Sequence, residues 1–171
     1  MSAAWLRETG ACTPQFLRFA ERFGQEEIAV TAESVAAARE AGLDLLWIGT
    51  MLATPEQRRR FVTFTIEQRR AALEQLLGEP ATSADELRLR ELAAAAWADW
   101  CETGNIQARS LGIALREAAR DMTVLAPSAE QARQAALAAL RALSYSGEED
   151  QRPFRLAQED WLAAELTEDG A

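Results

Sequence analysis

The residues best suited to acid–base chemistry are two carboxylates spaced one helical turn apart. Asp99 and Glu102 lie on either side of Cys101, and two tryptophans, Trp97 and Trp100, are close neighbours in the sequence. One interpretation is a paired-carboxylate site beside an aromatic wall, where one acid donates a proton and the other accepts one. The other is a helix end whose acids face water and whose tryptophans lie in the core. We favour the second, because acids at this spacing are common on helices.

Cys101 is a candidate nucleophile beside these acids, but its sequence context disfavours that role. The chain has no histidine, and all of its 18 basic residues are arginines, so no imidazole or amine is present to activate the thiol. Cys101 also falls near the C-terminal end of a predicted helix, where the helix dipole raises the pKa of a thiol. Cys101 and Cys12 could form one disulfide, but we favour reduced, half-buried thiols.

The absence of histidine and lysine removes whole classes of enzyme. Ser-His-Asp and Cys-His triads, histidine metal sites, Schiff-base lysines and phosphate-loop lysines all need one of these residues. Two cysteines alone do not make a structural zinc site. We therefore predict no catalytic residue, no cofactor and no metal, and keep an enzyme built from Asp, Glu, Arg and Tyr145 as a minor alternative.

A basic cluster stands out against an otherwise acidic sequence. Its members are Arg58, Arg59, Arg60, Arg69 and Arg70. The cluster is either a site for an anion or an acidic partner, or a solvated face whose arginines pair with Glu56, Glu67 and Glu74. We favour the solvated face, although arginine is disfavoured in the first turns of a helix, where Arg58 is predicted to lie.

Negative charge is concentrated towards the C-terminal end of the sequence. The formal net charge of the chain is −9, and residues 148–171 contain eight acids but only two arginines. Such a chain is a poor general binder of nucleic acids, because neutralising phosphates requires an excess of basic residues on one face. The segment is either a solubilising end or a surface for a basic partner. The residues predicted to contact that partner are Glu148, Glu149, Asp150, Glu159, Asp160 and Glu165.

The elements that position these residues are predicted to be helices throughout. Alanine fills 36 of 171 positions, glycine and proline are scarce, and no strand-like alternation of apolar and polar residues appears. Predicted N-caps are Thr13, Thr31 and Asn105, and predicted capping boxes begin at Thr54, Ser83 and Ser128. Predicted helix stops are Gly24, Gly42, Gly78 and Gly104.

These helices predict an all-α fold with one domain over residues 1–171, a multi-helix bundle of seven or eight helices. The acidic C-terminal segment, 148–171, belongs to this domain. In the second half, small residues recur on one helix face at Ala132, Ala135 and Ala139, which lets helices approach closely. Solenoid-like stacking of that half is therefore an option, although no repeat of fixed period supports it.

The apolar residues are expected to build the core of a soluble protein. No stretch reaches the roughly 18 uninterrupted apolar residues of a membrane span, and the N-terminus lacks the basic and apolar regions of a secretion signal. We therefore expect a soluble cytoplasmic protein. Most of the five tryptophans should then lie in the core, with Trp5 and Trp161, near the ends of the sequence, partly exposed.

Two stretches of the sequence are similar to a known protein family. The first is Trp5–Cys12, which has the form W-L-x-x-x-x-A-C. The second is Leu45-Leu46 followed by Glu56–Gln68, which has the form E-Q-R-x-x-F-x-x-x-x-x-E-Q. In these stretches, within residues 5–77, the chain resembles small bacterial proteins described as immunity proteins of polymorphic toxin systems. The resemblance implies a helical fold with alanine-rich helices, and a role in binding and neutralising a toxin.

The sequence as a whole favours a non-enzymatic protein-binding module. The resemblance implies an immunity protein with a cognate toxin, and a basic toxin would associate faster with an acidic segment. The alternative is an adaptor or scaffold subunit of a larger assembly, which receives partner helices in alanine-lined grooves. In either case we predict a protein partner, with no nucleic acid and no membrane.

Overall fold

The computed structural model describes residues 1–78, 85–122, 128–146 and 152–168, and nine helices lie in these ranges. They are α1 (Ala3–Glu8), α2 (Thr13–Phe23), α3 (Ala32–Glu40), α4 (Leu45–Leu52), α5 (Pro55–Leu77), α6 (Asp85–Thr103), α7 (Ile106–Asp121), α8 (Ala129–Tyr145) and α9 (Arg152–Glu168). The described residues contain no strand, so the predicted all-α fold is confirmed. The helix that raises the count above seven or eight is α1, which Ser2 caps by accepting a hydrogen bond from the Trp5 N–H (3.2 Å).

The chain divides into two compact units, each with an apolar core of its own. The first unit comprises Met1–Arg58 with Ala157–Ala171, and the second comprises Arg59–Leu156. The division therefore falls within α5 and within α9. The single domain expected over residues 1–171 stays a prediction.

Side-chain caps begin most helices where the sequence predicts them. Reciprocal capping boxes begin α3, α5 and α8, and Asn105 caps α7. The cap predicted at Thr13 is wrong: Cys12 takes the N-cap position of α2 without a side-chain hydrogen bond, because Thr13 and Pro14 already lie in the first turn. The capping box predicted at Ser83 lies outside the described residues.

The helix C-termini are closed by glycines and by arginines. The four predicted glycine stops all have positive φ, as at Gly104 (69°), a backbone conformation that other residues rarely adopt. Beyond the end of α3, Arg18 donates a hydrogen bond to the Gly42 carbonyl oxygen (2.8 Å). Arg58 donates to the carbonyl oxygens of Thr50 (3.0 Å) and Met51 (3.2 Å) at the end of α4. These carbonyls lack intrahelical partners and carry the negative end of the helix dipole.

The same interaction recurs in the second unit. Arg88 donates to the Leu77 carbonyl oxygen (3.3 Å), which ends α5, and Arg69 donates to the Asp121 carbonyl oxygen (3.2 Å), which ends α7. Burial lowers the pKa of Arg69, while the neighbouring Asp121 carboxylate acts in the opposite direction. In this unit too, arginine side chains supply the donors that two helix ends need.

The core of the first unit is built around Leu6 of α1 and Phe19 of α2, which are both fully buried. Phe16 and Phe23 are partly buried and pack against this core, so the phenylalanines of α2 form one stripe that faces it, as their spacing indicates. The rings of Phe19 and Phe23 have centroids 5.0 Å apart. A narrow apolar cavity elsewhere in the unit, beside Leu162, has a volume of only about 30 Å³.

The core of the second unit centres on α8, whose buried residues are all alanines and leucines. Nine of its residues are buried, including the predicted small-residue face at Ala132, Ala135 and Ala139. Small side chains let α7 approach closely, and α7 packs against both α6 and α8. Solenoid-like stacking stays a prediction. None of the helices in the described ranges combines the length and the apolar character needed to cross a membrane.

Gln57 joins the beginning of α5 to the end of α9 within the first unit. Its Oε1 accepts a hydrogen bond from the Thr54 N–H (2.7 Å), and its Nε2 donates to the Glu165 carbonyl oxygen (2.8 Å). Only 3% of the residue is exposed, so both bonds form away from water. A buried polar group that loses its hydrogen-bond partner lowers the free energy of unfolding by about 1–3 kcal/mol. We therefore expect this side chain to stabilise the first unit.

Gln57→Glu tests this joint. The carboxylate keeps the oxygen that caps α5 but places a second oxygen against the Glu165 carbonyl, so we expect the free energy of unfolding in urea to fall by about 1–3 kcal/mol. Gln131→Glu is the matched control, because Gln131 holds the same capping-box position on α8 and is exposed. Equal losses in the two variants, or no loss at Gln57, would contradict the role assigned to Nε2.

Candidate functional site

An open groove on the second unit is the candidate functional site. It lies along α6 and α7 and has a volume of about 440 Å³. Its lining residues are Arg90 and Trp97 of α6 with Ile113, Arg116, Glu117 and Arg120 of α7. We call it the Arg–Trp groove. On each helix most of these positions are three, four or seven residues apart, with Glu117 next to Arg116, so they lie along one side of the helix.

Trp97 is seated against the backbone of α7 at Gly112. A Cβ atom at residue 112 would lie 3.0 Å from both Cδ1 and Nε1 of Trp97, so the absence of a side chain is what makes room for the ring. Trp97 also contacts Trp100 edge-on, with ring centroids 5.3 Å apart. The Arg109 guanidinium lies over Trp100, 5.6 Å from its ring centroid. Two tryptophans and an arginine thus form a continuous surface beside the groove.

The three arginines of the groove differ in how their charges are met. Arg90 is bonded to Glu86, one turn earlier on α6 (2.6 Å). Arg120 is 84% exposed, with its Nε 3.6 Å from a carboxylate oxygen of Asp121. Arg116 is exposed and makes no hydrogen bond or ion pair with the residues that the structure describes. Its charge is therefore met by solvent.

Glu117 is the acid among the groove-lining residues, and it faces a cation outside the groove. Its carboxylate accepts a hydrogen bond from Nη1 of Arg141 on α8 (3.2 Å). Much of its charge is therefore balanced by Arg141, so Glu117 does little to neutralise the charge of Arg116. Guanidinium groups bind carboxylates and phosphates through paired hydrogen bonds. The groove can therefore hold a negatively charged group beside an aromatic ring and an aliphatic side chain.

The acids predicted to bind a partner are only partly brought together. Three lie outside the described residues: Glu148, Glu149 and Asp150. On α9, Glu159 and Asp160 both pair with Arg39 of α3, at 3.5 Å and 2.6 Å. Only 12% of the Glu159 side chain is exposed, against 64% for Asp160. Glu165 is half-buried. Their role as a partner surface stays a prediction. Arg39 balances part of the charge of Glu159 and Asp160.

The carboxylate pair at the end of α6 faces water. Asp99 and Glu102 are both exposed. The Thr103 hydroxyl donates to the Asp99 carbonyl oxygen (2.7 Å) and contacts its carboxylate at 3.4 Å. In the part of the chain that the structure describes, no group of three or more His, Cys, Asp or Glu residues is placed to hold a metal ion. This geometry fits a solvated helix end, the interpretation we favoured from the sequence.

Both cysteines are free thiols, but neither is half-buried. Cys12 and Cys101 are exposed, so that part of the expectation is wrong. The reason is local: Cys12 holds the N-cap position of α2, outside the helix, and Cys101 lies beside exposed Glu102 near the end of α6. Burial at either position would need a neighbouring element to cover it.

The basic cluster is not one anion site. Arg58 binds the carbonyls that end α4, and Arg69 binds the carbonyl that ends α7. For these two residues the expected solvated face with glutamate partners therefore gives way to backbone capping. The position of Arg58 in the first turn of α5, unfavourable for that helix, is explained because the guanidinium stabilises the opposite end of another helix.

All five tryptophans are partly exposed. The expectation is thus confirmed for Trp5 and Trp161, but placing most of the others in the core is wrong. Trp47 packs on the core of the first unit and against Trp5, with ring centroids 6.5 Å apart. Trp97 instead lines the groove, because Gly112 makes room for its ring, and Trp100 contacts Trp97.

Sequence reasoning missed the Arg–Trp groove. A usable signal was present, since Arg116 and Arg120 are four residues apart and Arg90 and Trp97 are seven apart, each pair on one helix face. These arginines are dispersed and do not form a run, so the sequence shows no basic cluster at this site. The tertiary packing of α6 on α7 is what brings the two faces together. No family model, curated protein or solved structure matches the chain, so the site rests on its own geometry.

Gly112→Ala tests the seat of Trp97. Alanine favours a helix over glycine by about 1 kcal/mol, but forcing a methyl group into a packed contact costs about 1–3 kcal/mol. We expect a net loss of stability in urea and a changed near-ultraviolet circular dichroism signal. In a Trp97→Ala background the same substitution should stabilise the protein, because the ring is gone. Stabilisation by Gly112→Ala alone would contradict the packing described.

Proposed function

We propose that the protein is a non-enzymatic protein-binding module that acts in the cytoplasm and uses the Arg–Trp groove as its binding surface. The observation that carries the proposal is the combination of residue types on this face. Tryptophan and arginine dominate the binding energy of protein interfaces, because a wide ring and a multi-donor guanidinium both gain when a partner excludes water. Trp97 lines the groove together with Arg116. Trp100 contacts Trp97 edge-on, and Arg109 lies over Trp100.

The role we favour is that of an immunity protein, which binds a toxin and blocks it. The resemblance of Trp5–Cys12 and Glu56–Gln68 to that family supports this role. In the first stretch, Leu6 is fully buried and Trp5 packs against the core of the first unit. In the second, Gln57 makes the buried joint described above. The similar residues therefore concern the fold, and the groove supplies the proposed contact with the toxin.

A basic toxin held by the acidic segment is a separate part of the proposal, with less support than the groove. Glu159 and Asp160 already pair with Arg39, so a basic partner would have to compete with an internal cation. Exposed ion pairs are weak, typically about 0–1 kcal/mol, which leaves such competition feasible at Asp160. We therefore place the main contact at the groove.

An adaptor subunit is the second candidate function, and the outer side of α6 favours it. Leu87 is 66% exposed. Leu92, Ala94, Ala95 and Ala98 are exposed on the same helix. Apolar side chains gathered on one helix suit the docking of a partner helix. The two candidates differ in the surface used, which makes them separable by mutation.

Affinity capture from the native host tests the proposal. The baits are the wild-type protein, Trp97→Ala in the groove, Leu87→Ser on the outer side of α6, and Leu17→Ala as a control. Leu17 is 58% exposed on α2, in the first unit. We expect one stoichiometric partner whose binding falls about 30-fold in Trp97→Ala, as for an interface tryptophan worth about 2 kcal/mol. Leu17→Ala should capture it like the wild type.

The captured partner decides between the two roles. Expressed alone in a laboratory bacterium, a toxin arrests growth, and co-expression of the wild-type chain but not of Trp97→Ala should restore growth. Several partners that cause no arrest, and that are lost from Leu87→Ser but kept by Trp97→Ala, would instead support the adaptor. Equal capture by all four baits would contradict a role for either surface.

A further inference from the structure

We propose that the Arg–Trp groove recognises an acidic helical segment of its protein partner, with two carboxylates one turn apart on Arg116 and Arg120. The inference rests on the proposed function, in which the groove is the contact surface, and adds the chemistry of the partner. It also reverses the expectation of a basic partner for this particular surface.

The charge distribution is the first step. Residues 59–156 contain 13 of the 18 arginines and 14 acids, so their formal net charge is −1, against −9 for the whole chain. In the groove, the charge of Glu117 is balanced by Arg141, so Glu117 does little to neutralise Arg116. Arg116 makes no ion pair within the described residues. A carboxylate from a partner would therefore meet a cation that has no competing acid bonded to it.

The spacing of the arginines is the second step. Arg116 and Arg120 lie four residues apart on α7, which separates them by about 6 Å along the helix axis. Acids four residues apart on a partner helix have the same separation. A carboxylate accepts two parallel hydrogen bonds from a guanidinium. Arg116 can therefore hold one acid, whereas at Arg120 the second acid competes with Asp121, whose carboxylate lies 3.6 Å from the arginine Nε.

The aromatic side of the groove is the third step. Trp97 and Ile113 line it together with these arginines, so an apolar side chain of the partner has a surface to cover. The groove thus fits a helix that carries two acids and an apolar residue on one face.

A nucleic acid fits these observations less well. Its phosphates form a continuous row of negative charge, and Glu86, Glu117 and Asp121 stand among or beside the arginines of the groove. The net charge of −9 further opposes a polyanion. Two isolated carboxylates meet fewer of these acids than a continuous row of phosphates does, which is why we commit to a protein segment.

Selection from a displayed library of short helical peptides, randomised on one face, tests the inference. The full chain is the target, and Trp97→Ala serves to remove peptides that bind elsewhere. We expect enrichment of Asp or Glu pairs four residues apart, with an apolar residue between them. The binding of one enriched peptide is then compared by fluorescence anisotropy with that of its Asn/Gln counterpart, which should bind at least about tenfold more weakly.

Charge reversal on the protein provides the matched pair of variants. Arg116→Glu should lower the affinity for the acidic peptide by about tenfold or more. Arg22→Glu makes the same charge change at an exposed site on α2 and should change that affinity by less than about twofold. Arg116→Gln replaces Arg116→Glu if circular dichroism shows that the latter is unfolded. A long-range field effect of net charge would affect both positions alike and so contradict the inference.

The remaining outcomes also decide the matter. Absence of acidic enrichment, absence of any selected peptide, or equal binding of the acidic and amide peptides would overturn the acidic partner. The capture experiment with Trp97→Ala tests separately whether the groove binds a partner at all. Failure of the proposed function and failure of the acidic partner can therefore be told apart. A single-stranded oligonucleotide that binds the groove more tightly than the peptide would overturn the proposal in favour of a nucleic acid.

Discussion

The closure of helix ends is the constraint on which the rest of this structure depends. Every helix leaves N–H groups at its beginning and carbonyls at its end without intrahelical partners, and a chain made of short helices has many such ends. The N-termini are closed mainly by Ser, Thr, Asp and Asn side chains. The C-termini need donors, and with no lysine or histidine in the sequence the cationic donors are all arginines. Arg18, Arg58, Arg69 and Arg88 fill that role.

The arginines therefore differ in what they bind. One group is bonded to backbone carbonyls and belongs to the fold, and another, with Arg39 and Arg141, pairs with carboxylates. Arg116 does neither within the described residues and faces the Arg–Trp groove. The difference explains why Arg58, which begins the most conspicuous run, has a structural role, while a dispersed set on α6 and α7 lines the candidate site. Arginine density along the sequence is thus a poor guide to recognition in this chain.

The local features of the fold were predictable because local rules govern them. Capping boxes at Thr54 and Ser128 and the glycine stops depend on residues within one turn of each other. The short helix α1 was missed because six residues give no apolar period to detect. The groove and the exposure of Trp97 could not be predicted, since both follow from the packing of α7 against α6 at Gly112. The pairing of Asp160 with Arg39 likewise joins residues far apart in the sequence.

The most direct measurement is a comparison of unfolding free energies for Arg58→Ala and Arg116→Ala in urea. If the arginines divide as described, Arg58→Ala removes two bonds to the end of α4 and should cost about 1–2 kcal/mol. Arg116→Ala removes an exposed side chain and should change stability by less than about 0.5 kcal/mol. Equal losses at the two positions would show that Arg116 is also structural, and would contradict the assignment of the groove to binding.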